Sequence, residues 1–475
     1  MPPVSEPSTR PRLVPALVYT ALTSAIVSSL GMLLVPTVAQ EFSVTVSAAQ
    51  WMLTINLLVG AVATPIMGRL SDGPHKKRLL QWSLATILVG SLMAACAPNF
   101  AVFLLGRALQ GLSYGIVPVT IALARRYLDE EKVRPGISSL SVTVSTGLGL
   151  GYPLTGILAS VTGFRVAFGF AVVFLISASV VVWRIVPDGP DLRGLRTRFD
   201  LPGAVLLGSG LSALLLAVSE GSGWGWTSAW TLGCSAAAVV LLTGWAVAEL
   251  RIPNPLVNLR AVRTKDVLLA NGTAIGLGAA MYIGMSVGSL VAQSPTSTGY
   301  GIALPLFWAG FVVLPLSVGS FGANRVVRRL ARRIRLTTLL PLGAGVMTIS
   351  AVHLWLEHDR LWEILIGMFL FGVGTGTTYA AMPALIARSV ADTELGSAVS
   401  FNQVLRTVGG AFGSALSGAV LAAHMAGDGH PTDSGITLAF ALGALGSAVV
   451  FAALAVNWIR TRRPRSNTGV TPTPM

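Results

Sequence analysis

Gly68-Arg69-Leu70-Ser71-Asp72-Gly73-Pro74-His75-Lys76-Lys77-Arg78 lies between two apolar runs, residues 50–70 and 79–97. Each run is about the 20 residues an α-helix needs to cross the hydrocarbon of a bilayer. A Gly-Pro pair followed by a basic cluster, set between two such runs, reads as a tight turn held on one side of a membrane.

The same pattern repeats in both directions along the chain. Apolar segments fall at 13–37, 50–70, 79–97, 101–125, 136–161, 165–186, 201–219, 229–250, 267–291, 304–322, 336–356, 362–386, 396–423 and 435–459. Fourteen spans would use about 280 residues and leave short loops. The chain is 53% hydrophobic and 11% charged, with a mean hydropathy of +0.72. A soluble protein needs about 25% charged residues to cover its surface, so lipid is the expected solvent for most of this one. The sequence predicts an all-α integral membrane protein with no large soluble domain.

Charge placement sets the orientation. The formal charge is +14, but the basic residues sit in clusters between apolar runs, which excludes a nucleic-acid-binding surface. With the N-terminus inside, only Arg165 and Arg360 of the 33 basic residues fall in outside loops, and Arg107 and Arg406 fall within helices. All the others lie in inside segments, so both termini are expected to be cytoplasmic, in the cytoplasmic (inner) membrane. The basic residues are almost all arginine, the only lysines being Lys76, Lys77, Lys132 and Lys265. That bias suggests a GC-rich bacterial genome. No signal-peptide cleavage pattern follows the short tail before Leu13. Cys96 and Cys234 imply no disulfide framework and are expected to be small buried residues.

Glycine recurrence points to an internal repeat. Gly111, Gly115, Gly136 and Gly149 match Gly372, Gly376, Gly396 and Gly409 at offsets of 260 or 261 residues. Spans 1–6 and 9–14 therefore read as two parallel copies, with spans 7 and 8 inserted. The expected organisation is a tail over 1–12, a six-helix bundle over 13–186, a linker carrying the inserted pair over 187–266, a second bundle over 267–459, and a disordered tail over 460–475. Such repeats are typical of transporters, whose substrate site lies between the halves near the midplane.

Several motifs carry a family resemblance. In the 68–78 stretch, Gly68, Leu70, Asp72 and the basic cluster at Lys76 and Arg78 resemble the span 2–3 signature of the major facilitator superfamily. His75 stands where that family has a glycine, and Gly73 at its first basic position. The physical logic is a conformational gate: Asp72 could sit on the N-terminal dipole of a facing helix, span 13 near Ser397. The basic residues could pair with Asp129 or Glu130. Arg107-Ala-Leu-Gln110-Gly111 in span 4 matches the family's Arg, Gln, Gly motif. An arginine within a span costs at least about 2.5–3.5 kcal/mol on insertion scales, so a cavity-facing role is expected, and the resemblance implies proton coupling or substrate binding.

Span 5 reads Gly147-Leu-Gly149-Leu-Gly151-Tyr152-Pro153-Leu-Thr155-Gly156, which resembles the family's antiporter motif; Tyr152 and Thr155 replace two of its glycines. Small residues allow close helix approach and proline supplies a kink. Span 13 reads Asn402-Gln403-Val-Leu-Arg406-Thr-Val-Gly409. Together with Phe199-Asp200-Leu-Pro-Gly203, Asn254-Pro-Leu-Val-Asn-Leu259 and the inserted pair, it resembles the 14-helix drug:proton antiporter branch. The resemblance implies alternating access and efflux of drugs or antibiotics against an inward proton flow, with the proton gradient as energy source and no cofactor.

That branch commonly has an aspartate in span 1; here span 1 has none, and all 19 carboxylates fall in loops or near helix ends. Two intramembrane arginines without an intramembrane acid favour neutral or anionic substrates over lipophilic cations, unless Glu220 or Glu41 reaches the cavity. Ser24, Ser28, Asn56, Gln110, Tyr114, Tyr152, Asn271, Tyr282, Trp308, Tyr379, Asn402 and Gln403 are the candidate lining, with Arg107 and Arg406.

Expected partners are a small-molecule substrate, protons and membrane lipid, with the chain acting as a monomer. No glycine precedes any lysine, so no Walker A loop exists and ATP drive is excluded. The rival readings are a nutrient importer or symporter and, in another class, a membrane-embedded enzyme. Asp129-Glu130-Glu131 is the nearest acidic cluster that chemistry could use, and it reads as a solvated turn. No charge ring or filter suggests a channel.

Overall fold

The computed structural model describes residues 12–187 and 200–462, apart from 32, 45, 254, 263, 331–335, 392–393 and 428–429. Most of both predicted tails and most of the segment before span 7 lie outside the described residues; residues 460–462, expected in the C-terminal tail, continue span 14.

The spans among the described residues are all helical, because in lipid every backbone amide must find its partner within its own segment. Span 1 is Leu13–Ser29, span 2 Val46–Asp72, span 3 Lys76–Ala95, span 5 Glu130–Thr162 and span 6 Phe164–Ile185. The inserted spans 7 and 8 are Leu201–Trp224 and Ala229–Glu249. Span 9 is Lys265–Gln293, span 11 Leu336–Leu356, span 12 Leu361–Ser389, span 13 Leu395–Ala423 and span 14 Asp433–Arg462. Spans 4 and 10 are composite. Span 4 runs Phe100–Gln110, a 3₁₀ segment Gly111–Gly115, then Ile116–Tyr127. Span 10 runs Leu306–Ala309, a 3₁₀ segment Gly310–Val313, then Leu314–Leu330. A mid-helix 3₁₀ stretch is a common hinge position.

Thirteen of these helices are long and apolar enough to cross a membrane, and Leu13–Ser29, with 17 residues, is a shorter fourteenth. Span 1 is the one expected segment that the structure cuts. The apolar run to residue 37 is not one helix: Gly31 turns the chain at φ +97°, and Pro36 starts a separate short helix, Val35–Glu41. Side chains fix other helix starts. Asn99 accepts from the Val102 amide at 3.0 Å, and Glu363 accepts from the Arg360 amide at 2.9 Å. Cys96 is exposed and Cys234 half-buried, contrary to the expected burial.

Helix packing displays the repeat. Span 1 packs on spans 5 and 6, span 3 on span 6, and span 2 on span 4; eight spans later the same pairs recur as 9 on 13 and 14, 11 on 14, and 10 on 12. The halves meet along two seams, span 2 against span 13 and span 5 against spans 10 and 12. The repeat exchanges these seams, since span 2 corresponds to span 10 and span 5 to span 13. Spans 7 and 8 pack on each other, and span 7 also lies against spans 2 and 13. Large apolar side chains such as Trp82, Val173, Trp183, Trp230 and Val240 stay exposed on the outer surface of the bundle, as a lipid-facing surface requires.

Candidate transport pathway and gate

At the arginine-rich face, span 2 ends on span 13. The Asp72 carboxylate is 3% exposed and accepts from the Gly396 amide at 2.7 Å, the Ser397 amide at 3.0 Å and the Ser397 hydroxyl at 2.8 Å. These amides belong to the first turn of span 13, where a helix leaves its N–H groups unpaired and its dipole is positive. Gly68 permits this approach: a Cβ there would lie 2.7 Å from the Gly396 carbonyl, and one at Gly396 would lie 2.6 Å from the Gly68 carbonyl. The backbones therefore cross in contact. Two more bonds join the halves at this end. The Arg125 guanidinium donates to the Ala387 carbonyl, and the Ser138 hydroxyl donates to the Ala380 carbonyl at 3.2 Å.

The basic cluster serves the N-terminal half. Lys76 Nζ donates to the Gly73 carbonyl at 2.8 Å and Lys77 Nζ to the Trp183 carbonyl at 3.0 Å, while Arg78 is exposed. Asp129, one of the two expected partners of this cluster, pairs with Lys132 at 2.9 Å, and the side chain of Glu130, the other, lies outside the described residues.

Span 5 is pressed between two neighbours, and its glycines divide between them. A Cβ at Gly147 or Gly151 would strike Ala25 or Ser29 of span 1. A Cβ at Gly149 would come within 2.3 Å of Ser317 Oγ, and one at Gly156 within 3.2 Å of the Leu306 carbonyl, both in span 10. Ser317 Oγ donates to the Thr146 carbonyl at 2.7 Å. Gly310, which opens the 3₁₀ segment of span 10, faces Tyr152 and Pro153. Proline kink and 3₁₀ segment thus stand opposite each other across the seam. Gly149→Leu is expected to insert normally but to lose at least ten-fold in transport rate, measured as initial flux per unit of membrane protein; Val161→Ala, at an exposed position of the same span, should leave that flux unchanged.

Arg406 lies at the centre. Its guanidinium sits 3.8 Å from the centroid of the Tyr379 ring, a close cation–π contact. Nη2 reaches Asn402 Oδ1 at a long 3.4 Å, and Nε and Nη1 are buried without a hydrogen-bond acceptor. Asn402 Nδ2 donates to the Ala270 carbonyl at 3.1 Å and to Asn271 Oδ1 at 2.9 Å, tying span 13 to span 9. Tyr282 is within electrostatic range of Arg406, Tyr379, Tyr114 and Tyr152, so phenols from both halves converge here. Tyr114 keeps a buried hydroxyl without a partner. On the N-terminal side Asn56 Nδ2 donates to the Ser28 carbonyl at 3.2 Å, and Ser24 Oγ to the Ser113 carbonyl at 2.7 Å. Gln403 is buried on the same span as Arg406.

Three expected pathway residues do not belong to this centre. Trp308 is 57% exposed and packs with Phe307 and Phe311 at the end of span 10; sequence alone cannot separate a lipid-facing aromatic from a cavity-facing one. Arg107 and Gln110 are both 0% exposed inside the N-terminal bundle. Arg107 is wholly enclosed by the N-terminal bundle, and one of its nitrogens, Nη2, is buried without a hydrogen-bond partner. Its Nε donates to the Met52 carbonyl at 3.2 Å and its Nη1 to Gln110 Oε1 at 2.6 Å, and Gln110 passes the chain to Ser91 at 2.9 Å. The Phe168 ring lies 5.5 Å away. Spans 2, 3, 4 and 6 are pinned together through this one network.

The carboxylates that sequence left open sit elsewhere. Glu41 pairs with Arg165 at 3.2 Å on the surface. Glu220 is half-buried on span 7. Glu249 accepts from Trp245 Nε1 at 2.8 Å, and Asp200 caps span 7 through the Gly203 amide at 2.9 Å. Sequence reasoning missed that Asp200 and Glu249 are buried, and it missed Met281, whose sulfur receives the Tyr379 hydroxyl at 3.6 Å. An open surface groove of about 970 Å³ lies among spans 2, 7 and 8, with an apolar lining that includes Val62, Ile66, Val205 and Trp230.

A repeated helical bundle with a polar centre between its halves, and backbone-to-backbone crossings at both seams, is a multi-pass membrane transporter of the alternating-access type. The chain belongs to the Major Facilitator Superfamily, whose family model matches residues 16–414. It is similar to the tetracenomycin C resistance and export protein of Streptomyces glaucescens, 27% identical over 83% of this chain and 73% of that one. It is also similar to the methylenomycin A resistance protein of Streptomyces coelicolor, 26% identical over 92% and 89%. The lincomycin resistance protein of Streptomyces lincolnensis is 26% identical over 89% and 86%. Among solved structures, the human organic anion transporter MFSD10 (TETRAN) superposes with a TM-score of 0.66 at 14% identity, covering 94% of this chain and 99% of that one. At that identity the likeness speaks for the fold alone.

Proposed function

We propose that this transporter exports drug-like molecules or antibiotics from the cytoplasm across the cytoplasmic membrane of a bacterium, in exchange for protons, and that its substrates are neutral or anionic. Several relatives bear names of antibiotic resistance or export, which supports the direction. The span 5 motif supports exchange for protons. Substrate charge rests on one observation: Arg406 holds two buried guanidinium nitrogens without acceptors among phenols and amides at the meeting of the halves. Unpaired buried donors favour a ligand that brings acceptors. Asp72 and its neighbours then form the cytoplasmic gate, closed in this conformation.

The test is a susceptibility panel in an efflux-deficient bacterium expressing the chain, with neutral, anionic and lipophilic cationic compounds. Arg406→Ala is expected to abolish protection against neutral and anionic compounds at unchanged membrane abundance. Protection restricted to cations would overturn the charge assignment. In proteoliposomes, an imposed inward proton gradient should drive accumulation on the opposite side, and its collapse by an ionophore should stop it.

A further inference from the structure

Away from the gate, on the face opposite the arginine-rich one, three metal-ligating side chains converge. His358 and Asp359 lie in the short link between spans 11 and 12, and Asp433 opens span 14. One ligand atom from each falls within 4.8 Å of the others. His358 is 5% exposed, with its ring against Phe440 at 5.2 Å between centroids. Neither of its ring nitrogens has a hydrogen-bond partner. Nε2 lies 3.7 Å from Asp433 Oδ1, beyond hydrogen-bond reach. A buried imidazole with both nitrogens unsatisfied is costly, and its Nε2 side is turned toward Asp433.

We propose that His358, Asp359 and Asp433 form a divalent-cation site of the zinc type. Zinc takes imidazole nitrogen and carboxylate oxygen at about 2.0–2.2 Å in tetrahedral geometry. Tetrahedral ligands are then about 3.3 Å apart, a closure within reach of the two exposed carboxylates. The fourth position faces water. Magnesium and calcium prefer oxygen-only shells, so the buried imidazole selects against them. A bound ion ties the link between spans 11 and 12 to the start of span 14.

The test uses full-length protein purified in detergent without a polyhistidine tag and stripped with a chelator. Titration with zinc chloride, followed by calorimetry and by thermal unfolding, is expected to show one saturable equivalent and a rise in Tm. Asp433→Asn, an exposed change that leaves the fold intact, and His358→Ala should each weaken binding at least ten-fold. His75→Ala, on the other face, should not. Absence of saturable binding, equal affinity for magnesium or calcium, or binding untouched by both variants would overturn the site. Stabilisation that appears only on acidification and needs no metal would assign His358 and Asp433 to a simple ion pair instead, and would overturn it as well.

Discussion

Asp72→Ala should uncouple the two halves at the arginine-rich face and reduce export at least a hundred-fold. The carboxylate holds two backbone amides and a hydroxyl. Hydrogen bonds to a charged group contribute about 1.5–3 kcal/mol each. Loss of even 3 kcal/mol shifts a two-state equilibrium by roughly a hundred-fold, enough to depopulate the closed form. The change can be read without substrate. A cysteine at Ser138, opposite Ala380, would be labelled by a membrane-impermeant maleimide from this face, in a background lacking Cys96 and Cys234. Labelling should be slow while Asp72 is present and fast in the Asp72→Ala variant. Asp72→Asn, which keeps one acceptor, should fall between. Equal rates would remove Asp72 from the gate.

Arg107→Ala should act on stability first. Arg406 and Arg107 are both buried, yet their surroundings differ. Removing Arg107 leaves the Met52 carbonyl and Gln110 Oε1 without their donor and opens a void among spans 2, 3, 4 and 6. Such a loss costs about 2–4 kcal/mol, seen as a Tm several degrees lower in detergent. Arg107→Met combined with Gln110→Leu should recover that Tm, because apolar groups then replace both members of the network. Arg406→Ala strands fewer partners, so its Tm should stay close to the parent value while transport is lost. If the double variant recovers Tm but not export, Arg107 acts in the transport cycle beyond packing; a Tm that stays low would refute the network as a packing unit.

The contrast between these arginines marks how far the sequence reaches. Membrane spans were legible because twenty apolar residues have few other uses, and orientation followed from where arginine is allowed. The break at Gly31 was not, since an apolar run looks the same whether the helix continues or turns. Depth and direction of a side chain depend on neighbours far along the chain: Arg107 meets Met52 and Phe168, Arg406 meets Tyr379. Local pattern cannot distinguish those settings, nor tell Trp308 in lipid from Tyr379 in the seam. The glycines of span 5 were recognisable as close-packing residues, but their division between spans 1 and 10 required the fold.

The latch on Asp72 has a genetic consequence. Two of its three partners are main-chain amides, which no ordinary substitution at 396 or 397 erases. A salt-bridge latch can be broken from either side and repaired by swapping charges; this one offers no charge to swap. Suppressors of an Asp72 lesion should therefore map away from span 13's first turn, to sites that bias the whole rocking equilibrium. From the opposite half, the lesion would be reproduced by proline at 397, which deletes the amide itself, or by any side chain at Gly396, whose Cβ would strike Asp72 and the Gly68 carbonyl.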